Sequence, residues 1–201
     1  MNRRFLLFLM IGTTLLILVI GGHQTQRHPS YTPWNINILD NNKTRIFGIT
    51  LGKTTIQDAN QIFASFPETR LMEKDGKLQL LAHYHDLQFS GLIADIELSY
   101  MLDNDELQKL KDSAVANSQT EYPGLVLTKA IEIALLNTHI SSLIYKPSVD
   151  YEIDIILQRF GTAEIEQKIS ENESLWIYPE FGLNILINDK GSDVFTYSLI
   201  K

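Results

Sequence analysis

Phe5 to Gly22 contains no charged residue, and this run decides which part of the chain is left to fold in water. Wound as a helix, about 18 residues rise ~27 Å, close to the ~30 Å hydrocarbon thickness of a bilayer. A cleaved secretory signal carries an apolar stretch of about 7–15 residues, followed by small residues at the cleavage point. This run is longer, and Ile20 before Gly21-Gly22 is too bulky for such a site. The expectation for residues 1–22 is an uncleaved signal anchor, a single transmembrane helix. Arg3 and Arg4 precede it, so the positive-inside bias keeps them cytoplasmic and places the remainder outside. The expected location is the bacterial inner membrane, single-pass, with the C-terminal region periplasmic.

The chain has no cysteine. A lipid-modified cysteine and disulfide stapling are both excluded, so the exported part must hold together by core burial. About 160 residues at a hydrophobic content of 44% suffice for one or two small domains. The formal net charge is −7, and taking away the two positive charges of Arg3 and Arg4 makes it −9. That balance lacks the basic patch a phosphate backbone requires, so nucleic acid is not an expected partner. It also repels anionic lipid.

Residues 23–44 are polar, with Pro29 and Pro33, and are expected as a tether. Tyr31 and Trp34 within it suit either a membrane interface or a core contact at a domain start. Thr54 precedes a stripe of Ile56, Ala59, Phe63 and Phe66 at helical spacing, and Thr54 with Gln57 fits a capping box. Pro67 marks the stop. Strands are expected over 70–74 and 78–84 around the Asp75-Gly76 turn. Residues 93–102 alternate cleanly, with Ala94, Ile96, Leu98 and Tyr100 on one side and Asp95, Glu97 and Ser99 on the other, as a half-buried antiparallel strand does. Asp103 and Glu106 cap a further helix carrying Leu107, Leu110 and Ala114.

After a connector at Tyr122-Pro123-Gly124 the pattern repeats. Thr128 opens a short apolar helix, residues 140–145 suit a strand, and Asp150 starts a helix with Ile153, Ile156, Leu157 and Phe160 on one face. Strands are expected at 164–169, 173–178, 183–188 and 194–199. Each half thus reads as a helix, a breaker and a meander of strands. The expected fold is α+β: the N-terminal transmembrane helix (1–22), the tether (23–44), and two similar small domains (45–122 and 123–201) with helices packed on antiparallel sheets.

Ile49-Thr50-Leu51-Gly52-Lys53-Thr54, followed by an amphipathic helix, resembles the "LG-x-[ST]" opening of small bacterial envelope domains. Leu157-Gln158-Arg159-Phe160-Gly161-Thr162-Ala163, with Trp176-Ile177-Tyr178-Pro179 and Gly182-Leu183, is similar to their C-terminal pattern. The family is the SmpA/OmlA type, found in the E subunit of the outer-membrane barrel-assembly machinery. The resemblance covers about 45–101 and 147–199. It implies helices packed on a small antiparallel sheet, a shape shared with β-lactamase-inhibitor proteins, and a role in protein recognition. This chain differs in lacking the lipid-attachment cysteine and in carrying the pattern twice behind an anchor.

Gly52-Lys53-Thr54-Thr55 ends like a phosphate-binding loop, but Phe47 stands where the first glycine belongs, so the backbone cradle is missing. A helix start explains the segment. His83 and His85 project from the same face of a strand, and two imidazoles make half of a tetrahedral zinc site. If 78–85 pairs with 93–101, Asp95 or Glu97 supplies a carboxylate oxygen; the alternative is ordinary exposed strand residues. No cysteine nucleophile and no G-x-S-x-G elbow are present. Asp103, Asp105 and Glu106 suit the dipole of a helix start better than acid–base catalysis. Trp176, Tyr178, Phe181, Phe195 and Tyr197 suit a core. No catalytic residue and no cofactor is assigned, His83 and His85 being the candidate metal ligands. The function expected is a non-enzymatic interaction module of the cell envelope with an envelope protein as partner. The alternatives are a small-molecule or metal-binding envelope sensor and an envelope hydrolase.

Overall fold

Alternating strands dominate the architecture, and most of them join into one sheet. The computed structural model describes residues 31–39, 42–74, 76–114 and 124–200. Among them, a nine-stranded sheet runs in the spatial order β7 (Leu125–Val126), β4 (Glu68–Lys74), β5 (Lys77–Phe89), β6 (Leu92–Tyr100), β8 (Ile140–Pro147), β12 (Val194–Ser198), β11 (Leu183–Asn188), β10 (Glu173–Tyr178) and β9 (Ile165–Lys168). Every neighbouring pair is antiparallel. A separate small sheet holds β1 (Asn37–Leu39), β2 (Lys43–Ile46) and β3 (Ile49–Thr50). The helices are α1 (Ile56–Phe63), α2 (Asn104–Ser113), α3 (Lys129–Ala134) and α4 (Ile153–Phe160).

The period-two pattern of β6 sets the orientation of the whole sheet. Ala94, Ile96, Leu98 and Tyr100 are all buried. Residues directly opposite on neighbouring strands share a face. Tyr84, Ile96, Tyr145, Phe195, Ile185 and Trp176 therefore form one row across six strands. Helices cover this inner face: Phe63 of α1 meets Tyr84 edge-on at 5.0 Å, and Phe160 of α4 lies 6.1 Å from Phe195. Phe47, after β2, stacks on Tyr145 at 5.1 Å and brings the small sheet into the same core.

The helix caps follow the sequence in part, with a shift of one residue in α1 and no side-chain cap bond from Thr128 at α3. Thr55 rather than Thr54 is the cap: its hydroxyl oxygen accepts from the Asp58 N–H, and the Asp58 carboxylate accepts from the Thr55 N–H. Thr54 instead accepts from the Thr50 N–H. Asp103 and Glu106 form the expected box at α2. Asp150 does not cap α4, which begins after Glu152; its carboxylate accepts from the Asp193 N–H. The stripe on α1 ends at Phe63, because Ala64 turns left-handed and carries Phe66 out to 85% exposure.

The expected α+β fold of two similar small domains is not what forms; the protein is predominantly β, with one large sheet through both halves. β6 and β8 pair over seven residue positions at its centre. The start of α1 is also tied to the second half: the Ile56 N–H donates to Thr138, the Gln57 N–H to Leu136, and the Ile140 N–H to Thr54. Nor does the helix-and-meander repeat correspond to a symmetry. The meanders β4-β5-β6 and β10-β11-β12 enter from opposite edges, run in the same strand sense, and carry α1 and α4 on the same face. A rotation that exchanges the edges while keeping the strand sense turns the sheet over, so none superposes one half on the other. A sequence pattern of helix then strands does not encode the direction in which a meander advances.

The expected tether gives way to packed structure by residue 31. Tyr31 meets Phe89 edge-on, Trp34 meets Tyr151 edge-on, and the Tyr197 hydroxyl donates to the Pro33 carbonyl at 2.7 Å. Tyr31 and Trp34 are thus core-edge residues. No helix among the described residues is long and apolar enough to cross a membrane. The expected anchor, residues 1–22, lies outside the described residues, as does the connector at Tyr122-Pro123.

Candidate functional site

With α1 and α4 on the inner face, the odd-numbered positions of β5 up to His85, those of β6, and Ser142, Ile144 and Lys146 of β8 fall on the outer face. One row reads Glu68, His83, Glu97, Ile144, Thr196, Asn184, Ile177 and Ile165 across eight strands. It changes character along its length. Its β4–β6 end is charged and its β9–β10 end is apolar.

The charged end contains both histidines. His83 pairs in register with Glu97, as the sequence anticipates for strands 78–85 and 93–101. Its Nδ1 lies 3.5 Å from Glu97 Oε1, while His85 Nδ1 lies 3.7 Å from Asp95 Oδ2. The rings are parallel, with centroids 6.3 Å apart, the spacing that alternate residues of a strand impose. Each imidazole therefore addresses its own carboxylate, and the donors do not converge. Among the described residues no three His, Asp or Glu side chains are grouped to hold a metal ion. The two candidate ligands come together, while the rest of a tetrahedral set does not.

Lys146 of β8, which the sequence gives no reason to single out, completes the cluster by donating to Glu97. Glu97 is half-buried, and burial pushes its carboxyl upward. Contacts and charges from His83 and Lys146 outweigh this and bring it down to about 2. A bulge between Tyr84 and Leu87 shapes the same corner. Asp86 there adopts a positive φ of 49°, and its N–H donates to Asp95 Oδ1 at 2.9 Å. The bulge lets His85 and Asp95 approach while turning the remainder of β5 back into register. On the neighbouring strand, Arg70 donates to Glu68 at 3.0 Å and to the Thr69 carbonyl at 3.1 Å. The corner is an ion-pair lattice with imidazole members.

The other end of the outer face breaks the usual rule for a sheet covered on one side, whose outward positions are polar. β6 obeys it with Asp95, Glu97 and Ser99. β8 and β10 to β12 obey it only in part: Ile144, Val194, Leu186, Leu175 and Ile177 stand beside Ser142, Lys146, Thr196 and Asn184 on the face opposite the buried Tyr145, Phe195, Ile185 and Trp176. The five apolar side chains are half-buried, and Ile165 at the edge is exposed. The sequence carries a signal for this in Leu175-Trp176-Ile177-Tyr178, a continuous apolar run where alternation is expected. The expected core aromatics Trp176, Tyr178, Phe195 and Tyr197 are buried, and Phe181 packs against them. Gly52-Lys53-Thr54-Thr55 leads into the α1 cap.

The β9 edge is the sheet's other exposed feature. It is four residues long, carries Glu166 and Lys168, and all four side chains are exposed. Short, charged edge strands resist pairing with another chain, so this edge is poorly suited to strand addition. No protein-family model matches this chain, nor does any curated protein or solved structure.

Proposed function

We propose that the protein is a non-enzymatic module of the cell envelope that recognises a protein partner through the outer face of β8 to β12. The observation that carries this proposal is the apolar set Ile144, Leu175, Ile177, Leu186 and Val194 at positions that a solvated sheet face gives to polar residues. Contiguous apolar surface rimmed by charge is characteristic of protein interfaces. The Glu97–Lys146–His83 corner supplies such a rim on one side. In this proposal the apolar run Phe5–Gly22 anchors the chain in the inner membrane and the sheet works on the periplasmic side. The SmpA/OmlA-like motifs favour the same class of role. The partner presents apolar side chains to the face, since charged groups there would be left without counterparts.

Chemical crosslinking in intact cells tests the proposal. The wild-type chain gives a discrete heterologous adduct, and Leu186→Lys abolishes it. An adduct unchanged in the variant, or no adduct from either, overturns the outer face as a docking surface. An adduct of twice the chain mass contradicts a heterologous partner.

A further inference from the structure

At the end of the sheet that also carries Asp189 and Lys190 in the β11–β12 turn, the β5–β6 hairpin closes without charge. Phe89-Ser90-Gly91-Leu92-Ile93 forms its tip, and Pro147-Ser148-Val149 lies beside it, joined by the Ser148 N–H donating to the Ile93 carbonyl at 3.0 Å. Val149 is 78% exposed and Ile93 45%, although both are large and apolar. Asp150, next to Val149 in the chain, accepts from the Asp193 N–H at 2.8 Å. The chain also comes in at this end: Tyr31 sits on Phe89, and Trp34 on Tyr151. Residues 23–30 alone separate Tyr31 from the apolar run, and fully extended they reach at most ~28 Å.

Resting on the anchor in the proposed function, we infer that the hairpin tip and the Pro147–Val149 loop are a bilayer contact, seated at the headgroup boundary of a zwitterionic lipid surface. The short connector holds this end of the sheet near the membrane that the anchor spans. Burying a Val or an Ile side chain in apolar surroundings is favourable. Two such residues do not bind a free protein, but a tethered one meets the surface at high effective concentration. The acidic balance of the chain selects against anionic lipid. β5, thirteen residues long, spans about 40 Å, so the Lys77 end stands far from the bilayer.

Because the chain lacks cysteine, single cysteines can be labelled without background. The full chain is prepared as Val149→Cys, Lys77→Cys and Leu16→Cys, each carrying an environment-sensitive fluorophore. Each is reconstituted in phosphatidylcholine vesicles with and without brominated acyl chains. The expected result is a blue-shifted emission at 149 that loses most of its intensity to the brominated lipid, strong quenching at 16, and no effect at 77. A water-like, unquenched probe at 149 alongside a quenched probe at 16 overturns the contact and leaves the anchor standing. An unquenched probe at 16 overturns the anchor and the contact together.

Discussion

Ile144 of β8 lies directly across from Glu97 of β6, and this pair marks the border at which their row across the outer face passes from charged to uncharged side chains. On the Glu97 side, outward positions are satisfied by ion pairs. On the Ile144 side, outward apolar residues back onto a fully formed core.

Adjacent residues of β11 separate the two faces. Ile185 is wholly buried, and Leu186 is half-buried on the other side. Ile185→Lys places an unpaired charge in the core and unfolds the protein or costs several kcal/mol. Leu186→Lys changes stability by no more than about 1 kcal/mol. Thermal denaturation of both variants checks the difference, and equal destabilisation contradicts the assignment of faces.

Glu97 gives a pH signature. Burial alone raises its carboxyl, but His83 and Lys146 lower it overall to about 2 from an ordinary 4.5. A lowered folded-state value means that the ionised form stabilises the fold above the ordinary value. This contribution is lost as pH falls from about 4.5 towards 2. Its size is on the order of 3 kcal/mol at most. Glu97→Gln therefore lacks part of the wild-type stability at pH 7, and the gap closes on acidification. Denaturant melts at pH 7 and at pH 2.5 read it, and a gap independent of pH excludes the ion pairs as its source.

Gly182 follows the short turn Pro179–Phe181 and has a φ of +61°. A Cβ there would stand 2.4 Å from the Ser198 carbonyl oxygen, a backbone atom that cannot move aside cheaply. The Ser198 N–H also donates to the Gly182 carbonyl at 2.8 Å. Gly182→Ala is expected to cost at least about 1–3 kcal/mol through strain and loss of the β11–β12 register. Gly91→Ala, also at positive φ but with open space around it, separates the conformational cost from the steric one. Equal melting temperatures for the two contradict the clash.

The halves of the chain should not fold apart. β6 pairs with β8 in the middle of the sheet, and the start of α1 is hydrogen-bonded to residues 136–140. Fragments 45–122 and 123–201 each expose a central strand edge and part of the core, and are expected to stay unfolded in circular dichroism. The intact chain unfolds in a single transition by both near- and far-ultraviolet signals. Two resolved transitions would contradict one shared core.

Local structure was legible where local physics decides it. The alternation of 93–102, the Asp103/Glu106 box, and the four closing strands all stand in the structure near the expected residues. The join between β6 and β8 was not legible, because a long-range pairing leaves no periodic trace in either strand. Tyr31 and Trp34 sit in a polar, proline-containing stretch, so composition suggested a tether although their rings pack on Phe89 and Tyr151. His83 and His85 could be placed on one face from spacing alone. That their rings lie parallel and address separate carboxylates depends on register and on the bulge at Asp86.

The outer-face proposal is tested most directly by a photo-crosslinking amino acid placed at single sites of the full chain in intact cells. Leu186 and Ile177 represent the apolar outer face, with Gln61 of α1 and Lys53 as exposed positions away from it. The expected result is the same discrete heterologous product from 186 and 177 and none from 61 or 53. Products of equal yield from all four sites, or none from 186 and 177, would contradict it.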